Sequence, residues 1–422
     1  MAEIVVAGSG LQVRLTRGEQ VAGLRSWVTV PLSEVRAVRV VPDGLLAARG
    51  LRAPGLGVPG VRKIGTWRSR SGRTFVSVRR EEPAVLVRLR RDAAWHALLI
   101  GSPQAADVAA RVAAMLAPEL RDEPVVIDPE HHALHGSLRV PGPGPMPGAL
   151  LLAGSGPIDR DGDAPGNPLE LQLALAEALA NQGVASLRYD RRGVGDGTDW
   201  RAVGLSQNTA DAAQALRLLR ADPRIDADRI VVIGHSEGAL HALRLAVGDE
   251  PPAAAVLLSS PARPGGEVLL WQAEQIAPGL PKPVRAIVKV ARIDVTAKTR
   301  AAHDKLRATT GDVARVNGAK VNAGWFREYL DDDPREQLAS LAIPTLALTG
   351  TADLQTPVED AARIADLAPG PVEVVQPEQI SHLLRRDASE APALSDYRRQ
   401  LREPIDAGVL GTITDWVAGQ LG

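Results

Sequence analysis

Apolar residues follow two different rhythms along this 422-residue chain. In the first quarter they alternate with polar ones. Residues 26–30 and 34–41 are rich in β-branched side chains. Residues 73–78 and 84–90 switch with period two, so all four stretches are expected to be strands. Gly and Pro interrupt the chain between Pro42 and Gly65. One helix is expected over residues 103–116, with Ser102 as its N-cap and Pro103 at its first position, where a backbone N–H is not needed.

From about Glu123 the rhythm changes. Residues 131–140 predict an antiparallel strand, and the Gly/Pro run 141–148 a turn. A short apolar run predicts a buried strand at 149–153, and mostly apolar runs predict further strands at 184–189, 229–233, 253–258, 343–349 and 372–375. Helical patterns separate them at 169–180, 206–220 and 239–247, and 407–421 closes the chain. Alternating strands and helices predict an α/β domain with a mostly parallel sheet and helices on both faces. Right-handed crossovers then place the strand C-terminal ends along one edge, where ligands bind. Between Pro261 and Leu341 the alternation lapses into several helical patterns with Trp271 and the Trp325-Phe326 pair. This insertion, 261–341, is expected to be a helical cap over that edge. The expected organisation is therefore a small, mostly-β, barrel-like domain closed by one helix at 1–122, followed by the α/β domain at 123–422.

Charge supports the division. Residues 1–122 carry 19 Lys and Arg against 10 Asp and Glu, whereas the remainder carries 30 against 40. Opposite signs suggest that the halves attract one another or that the first meets an anionic partner. There is no cysteine, which excludes disulfides and thiolate metal sites and suits a reducing compartment. No basic stretch followed by an apolar core opens the chain, and no apolar run reaches about 18 residues. A cytoplasmic protein is the expectation.

The chemistry concentrates at Gly234, His235, Ser236, Glu237 and Gly238. A G-x-S-x-G turn that follows a strand and opens a helix is a nucleophile elbow, so tight that small residues must flank the serine. The competing reading of Ser236 is a helix cap. A serine hydroxyl needs a base to take its proton and a carboxylate to orient that base, in the chain order Ser, Asp or Glu, His. The strand 343–349 runs into Gly350, Thr351, Ala352 and Asp353, which puts the Asp353 carboxylate at the sheet edge. The alternative is a turn-forming Asp that caps the following helix. Asp331, Asp332 and Asp333 precede that strand and read as a solvated turn. His382, past the last strand, is the only histidine beyond His303 and is the expected base. His235 is expected to shape the elbow, and His241 to face the wrong way. On a strand His131 and His135 would share a face and His132 oppose them; with no third ligand, exposed positions are expected rather than a metal site.

The oxyanion of acyl transfer needs two N–H donors. One is the amide of Glu237. The other should come from the loop Gly154, Ser155, Gly156, with Ser155 as the choice and Gly156 if the register is one off. That loop lacks the G-x-G-x-x-G spacing of dinucleotide sites and a following Gly-Lys-Ser/Thr.

Taken in order, Gly154 to Gly162, Arg188 to Gly193, Gly234 to Gly238, Gly350 to Asp353 and Ser381-His382 resemble a bacterial serine-esterase branch of the α/β-hydrolases. That branch lies near the dienelactone hydrolases and acyl-peptidases, and the likeness covers about 125–422. It implies cleavage of carboxylic esters with small to medium acyl chains through Ser236, Asp353 and His382, with no metal or organic cofactor. Thioesterases, acyltransferases and peptidases use the same machinery. Asp159, Arg160 and Asp161 are expected to brace the oxyanion loop by internal ion pairs, with direct substrate contact as the alternative. Residues 10–118 resemble a bacterial pleckstrin-homology-like barrel. A rival reading makes that domain the working part, binding anionic lipid or an acidic protein through Arg62, Lys63, Arg68, Arg70, Arg73, Arg79 and Arg80. Nucleic acid is not expected, since aromatics are scarce there and no recognition motif occurs.

Overall fold

The early alternation builds two sheets. In the computed structural model, which describes residues 2–7, 10–23, 25–69, 72–117, 120–279, 294–316, 318–389 and 391–422, the first three strands are β1 (Glu3–Ala7), β2 (Gly10–Arg14) and β3 (Trp27–Pro31). They form an antiparallel sheet in the order β1-β2-β3. Six further strands are β4 (Val35–Val41), β5 (Leu51–Val58), β6 (Arg62–Ser69), β7 (Gly72–Arg79), β8 (Ala84–Leu89) and β9 (Ala97–Gly101). These order as β4-β8-β9-β7-β6-β5, with β7 and β9 parallel and the other neighbours antiparallel. Inward residues Leu11, Val13, Val28, Val30, Phe75, Val85, Val87 and Leu98 share one core, and Trp95 meets the Phe75 ring edge-on at 5.8 Å.

Three helices occur in this part where one was expected: α1 (Arg17–Gly23), α2 (Gly44–Ala47) and α3 (Ala105–Ala113). The first two are short and lie where Gly and Pro obscured any period. Helix α3 begins two residues later than Pro103. The Ser102 hydroxyl accepts the Gln104 N–H at 3.1 Å, closing a local turn before the helix starts. Its Val108, Ala109 and Val112 face the core.

The second sheet system contains β10 (Asp122–Ile127), β11 (Leu134–Arg139), β12 (Met146–Leu152), β15 (Ala185–Tyr189), β16 (Ile225–His235), β17 (Ala254–Leu258), β20 (Thr345–Leu348) and β21 (Val372–Val375). Two two-residue strands, β13 (Asp163–Ala164) and β14 (Asn167–Pro168), form a separate hairpin. The eight strands order as β10-β11-β15-β12-β16-β17-β20-β21, and every pair from β15 onward is parallel. This is the α/β-hydrolase fold. Leu151, Ile233, Leu258 and Leu348 lie on one face against α4 (Leu171–Asn181) and the closing helix α13 (Ala407–Leu421). The intervening Leu150, Val232, Leu257 and Ala347 are just as deeply buried, so both faces are covered, as a parallel sheet requires. Helices α5 (Leu205–Ala221) and α6 (Glu237–Ala246) flank the elbow strand.

The described part of the insertion 261–341 holds α7 (Gly265–Ile276), α8 (Val295–Arg307), α9 (Ala323–Asp331) and α10 (Arg335–Leu338). It also holds an antiparallel hairpin, β18 (Val313–Val316) and β19 (Ala319–Asn322), that the helical reading missed. Residues 280–293 of the expected cap lie outside the described residues. Two further helices, α11 (Asp360–Leu367) and α12 (Tyr397–Gln400), complete the chain. By density of contacts the molecule divides into one unit of residues 1–125, 137–142 and 163–168, and another of 126–136, 143–162 and 169–422. Among the described residues no helix is long and apolar enough to cross a membrane.

Candidate active site

Register brings the expected residues to one edge. Leu152 pairs with Gly234, His235 with Leu258, and Leu258 with Leu348, which in turn pairs with Val375, so five neighbouring strands end nearly flush. Each expected side chain follows one of these ends. Ser236 sits between β16 and α6 at φ 57° and ψ −121°, a backbone region that L-residues rarely adopt. Two close approaches hold it there. A side chain at Gly234 would place its Cβ 2.1 Å from the Gly238 carbonyl oxygen, and one at Gly238 would come within 2.3 Å of the Leu152 carbonyl oxygen. Both neighbours are backbone, so neither glycine can be replaced without moving the elbow.

Asp353 and His382 meet. The Asp353 carboxylate accepts from His382 Nδ1 at 2.9 and 3.1 Å, with both residues buried. Carboxylate on Nδ1–H leaves Nε2 as the basic nitrogen. Asp353 also accepts the amides of Gln355 at 2.7 Å and Thr356 at 2.9 Å. The two readings of this residue are thus compatible, because it shapes the turn and holds the imidazole. Burial pushes its carboxyl up, but His382 and the amide donors outweigh it and keep the group below its ordinary range.

His235 has a role the sequence only hinted at. Its Nε2–H donates to the His382 carbonyl at 2.9 Å, and the two rings lie 4.9 Å apart. The elbow thereby grips the loop that carries the imidazole. That loop is held again from behind. Arg385, fully buried, donates to the carbonyls of Glu403, Leu383 and Leu169 at 2.8, 3.0 and 2.7 Å. Burial, with the neighbouring His382 ring, drives His235 down to about 3, so it stays neutral. The sign of the consequence follows. Below about 6.5 the unfolded chain binds a proton at this position that the folded one refuses, so stability is lost as pH falls from 6.5 toward 3. His241 and His303 are also depressed, chiefly by burial, and act in the same direction. Denaturant unfolding at pH 7.5, 6.0 and 5.0 is expected to show this loss. The variant His235→Gln should flatten it by up to about 1.4 kcal/mol per pH unit. An unchanged slope would mean that His235 is not held neutral.

Glu237, expected only for its amide, carries the densest polar network of the site. Its buried Oε1 accepts from Arg191 at 2.5 Å, His241 at 3.1 Å and Asn208 at 3.3 Å. Oε2 accepts the Trp325 indole N–H of helix α9 at 3.0 Å. Burial opposes ionisation, yet Arg191 and His241 hold the carboxyl far below its ordinary range. Arg191 also donates through Nη1 to the Gly154 carbonyl. One guanidinium therefore ties the loop at 154–156 to the first turn of α6, the two places from which oxyanion donors were expected. Glu237 opens α6, where amides have no acceptor inside the helix. Gly154 is buried, Gly156 takes φ 99° and Ser155 is exposed.

Arg160 and Asp161 each form a buried ion pair with a residue outside their own stretch. Arg160 binds Asp190 through two nitrogens, at 2.6 and 3.1 Å, and the Gly136 carbonyl, while Asp161 faces Arg188 at 3.6 Å. The acidic triplet is paired rather than simply solvated: Asp331 to Arg307, Asp332 to Arg244 and Asp333 to Arg335. His131 ends a 3-10 turn at φ 65° and His132 follows it, bonding Asp196 at 2.9 Å; neither lies on β11 with His135. No group of three ligating side chains that could hold a metal occurs among the described residues. In the basic stretch, Arg62 is bound to Glu19, Lys63 donates to the Leu45 and Ala48 carbonyls, and Arg73 bonds the Ala94 carbonyl. Arg80 pairs with Glu81, Arg68 and Arg79 are exposed, and Arg70 lies outside the described residues.

A cavity of about 420 Å³ opens beside Ser155, Gly156 and Glu237, walled on its far side by the cap. Trp325 stacks on Tyr329 at 4.8 Å and meets Phe326 edge-on at 5.0 Å, which fixes the aromatic wall.

Comparison with known proteins gives the family of the chain. Residues 170–388 match the family model described as Hydrolase_4: Serine aminopeptidase, S33. The chain is 27% identical over 248 residues to Esterase EstD of Thermotoga maritima. That match covers 56% of this chain and 56% of the relative, so the chain spans little more than half the length of the curated relative it matches. Among solved structures it is similar to the 2,6-dihydroxy-pseudo-oxynicotine hydrolase, at 17% identity and TM-score 0.47 over 75% of this chain and 72% of that one. It is also similar to Est1E from Butyrivibrio proteoclasticus, at 17% identity and TM-score 0.45 over 70% and 96%.

Proposed function

The chain belongs to the Hydrolase_4 family of serine aminopeptidases, S33, and from that premise we propose that it is a serine hydrolase that cleaves carboxylic esters. The observation that carries the reading is the Asp353–His382 pair, buried at the same sheet edge as the strained Ser236. In this reading His382 Nε2 takes the Ser236 proton as Oγ attacks the ester carbonyl. Asp353 steadies the imidazolium. The tetrahedral oxyanion is received by the amides of Glu237 and of Ser155, or Gly156. Collapse expels the alkoxide, which leaves as the alcohol with the proton from His382. Water then repeats the sequence on the acyl-enzyme and releases the acid.

Ester rather than peptide substrates are favoured by the walls of the cavity. An aminopeptidase needs an anion for the substrate's α-ammonium group. The carboxylate that lines the cavity, Glu237, is already committed to Arg191, His241, Asn208 and Trp325. The name Esterase EstD of the relative points the same way. Purified protein is expected to hydrolyse p-nitrophenyl butyrate and to react with a fluorophosphonate probe at Ser236, read by peptide mass spectrometry. Labelling at a different serine, or none with active probe, sinks the proposal. The rival lipid-binding reading loses ground because Arg62, Lys63 and Arg73 are spent on internal partners.

A further inference from the structure

The cavity beside the elbow is apolar through most of its wall, where Trp200, Leu269, Trp325 and Phe326 contribute, yet its charges do not cancel. Two of its four cations have a carboxylate each. Arg191 faces Glu237 at 2.5 Å, and Arg192 grips Asp211 through two nitrogens at 2.7 and 2.8 Å. The other two share one. Arg201 reaches Asp199 Oδ1 at 3.2 Å and Lys320, from the cap hairpin, reaches Oδ2 at 3.0 Å. Among the described residues, one carboxylate for two cations leaves about one positive charge at this place on the wall. Asp199 is half-tied already, since its Oδ1 also accepts the Arg201 amide at 3.1 Å. The Arg201 guanidinium lies 4.8 Å from the centre of the Trp200 ring, within range of a cation–π contact. An apolar hollow ending at a guanidinium and an ammonium suits a chain with an anionic oxygen group at its tip.

We propose that this cavity takes an ester whose apolar chain carries a distal carboxylate or phosphate, read by Arg201 and Lys320. The inference rests on the Ser236 esterase reading for turnover but not for binding. An uncharged ester would leave the excess charge unmatched. An ester with an amine at its distal tip would meet like charge there and be disfavoured.

The experiment compares esters of equal chain length: p-nitrophenyl hexanoate, mono-p-nitrophenyl adipate and p-nitrophenyl 6-phosphonooxyhexanoate. The ratio of kcat/KM for an anionic over the neutral ester is expected to be about 5–10, mostly through KM, and to shrink as salt rises from about 0.02 to 0.5 M. In the variants Arg201→Gln and Lys320→Gln that ratio should fall, and in the double variant it should approach about one. Preference for one anionic ester alone identifies the group; preference for both assigns the site to either. Calorimetric binding of monomethyl adipate against methyl hexanoate to the full chain carrying Ser236→Ala reads the cavity without turnover. Failure to hydrolyse any ester therefore counts against the Ser236 reading, and not against this one. A ratio near one in the unaltered protein, or one that survives the double variant, overturns the inference, as does equal binding of the two methyl esters.

Discussion

Ser236→Ala is expected to lower kcat/KM for p-nitrophenyl butyrate by about 10⁴–10⁶ while leaving the fold intact. The size follows from what is removed. The hydroxyl is the only atom lost, and with it goes the covalent route; what remains is oxyanion stabilisation and binding. The intact fold follows from the backbone. Position 236 is held at φ 57° by neighbours, through the Gly238–Leu152 approach and the Ser236 amide, which donates to the Leu258 carbonyl at 2.9 Å. Alanine keeps that amide and adds no atom. Steady-state assays with a thermal melt alongside separate the two effects. Turnover within tenfold of the unaltered protein would show that the nucleophile is elsewhere.

Arg191→Met should do two kinds of damage at once. Stability is expected to fall by about 3–5 kcal/mol, because the Glu237 carboxylate stays buried after its nearest cation has gone. Turnover should fall by about 10² in kcat, with a smaller effect on KM, because the loop at Gly154 loses its tie to α6 and the two oxyanion donors are no longer held in one geometry. A second variant separates the effects. Adding Glu237→Gln to Arg191→Met removes the stranded charge and should recover much of the stability without recovering kcat. If both recover together, Arg191 matters for charge alone and not for position.

The edge where the candidate residues gather could be read from the chain because its signals are local. The strand before Gly234, the tight glycines around Ser236 and the run into Asp353 each occupy a few consecutive residues. Asp353 and His382 do meet, as the order of motifs implied. What escaped the reading depends on partners far along the chain. Besides His241 one helical turn on, Glu237 binds residues 29 to 88 positions away, and no neighbour of it in sequence announces Arg191, Asn208 or Trp325. Short elements were also lost. Strands β13 and β14 have two residues each, and β18 and β19 four, too few for any period to show. His131 and His132 looked like strand residues until the preceding Pro129 opened a 3-10 turn. The later start of α3 is a contest between two uses of Ser102, which its hydroxyl decides in favour of a turn.

The five-residue elbow constrains how this protein could diverge. Its two glycines admit no substituent, so only positions 235 and 237 are open to change, and each already answers to a distant partner. A descendant that alters Glu237 leaves the buried guanidinium at 191 without its carboxylate, and one that drops Arg191 leaves the buried acid without its guanidinium. The two sites are expected to be exchanged jointly across lineages, so that drift near the nucleophile proceeds by paired replacements rather than single steps.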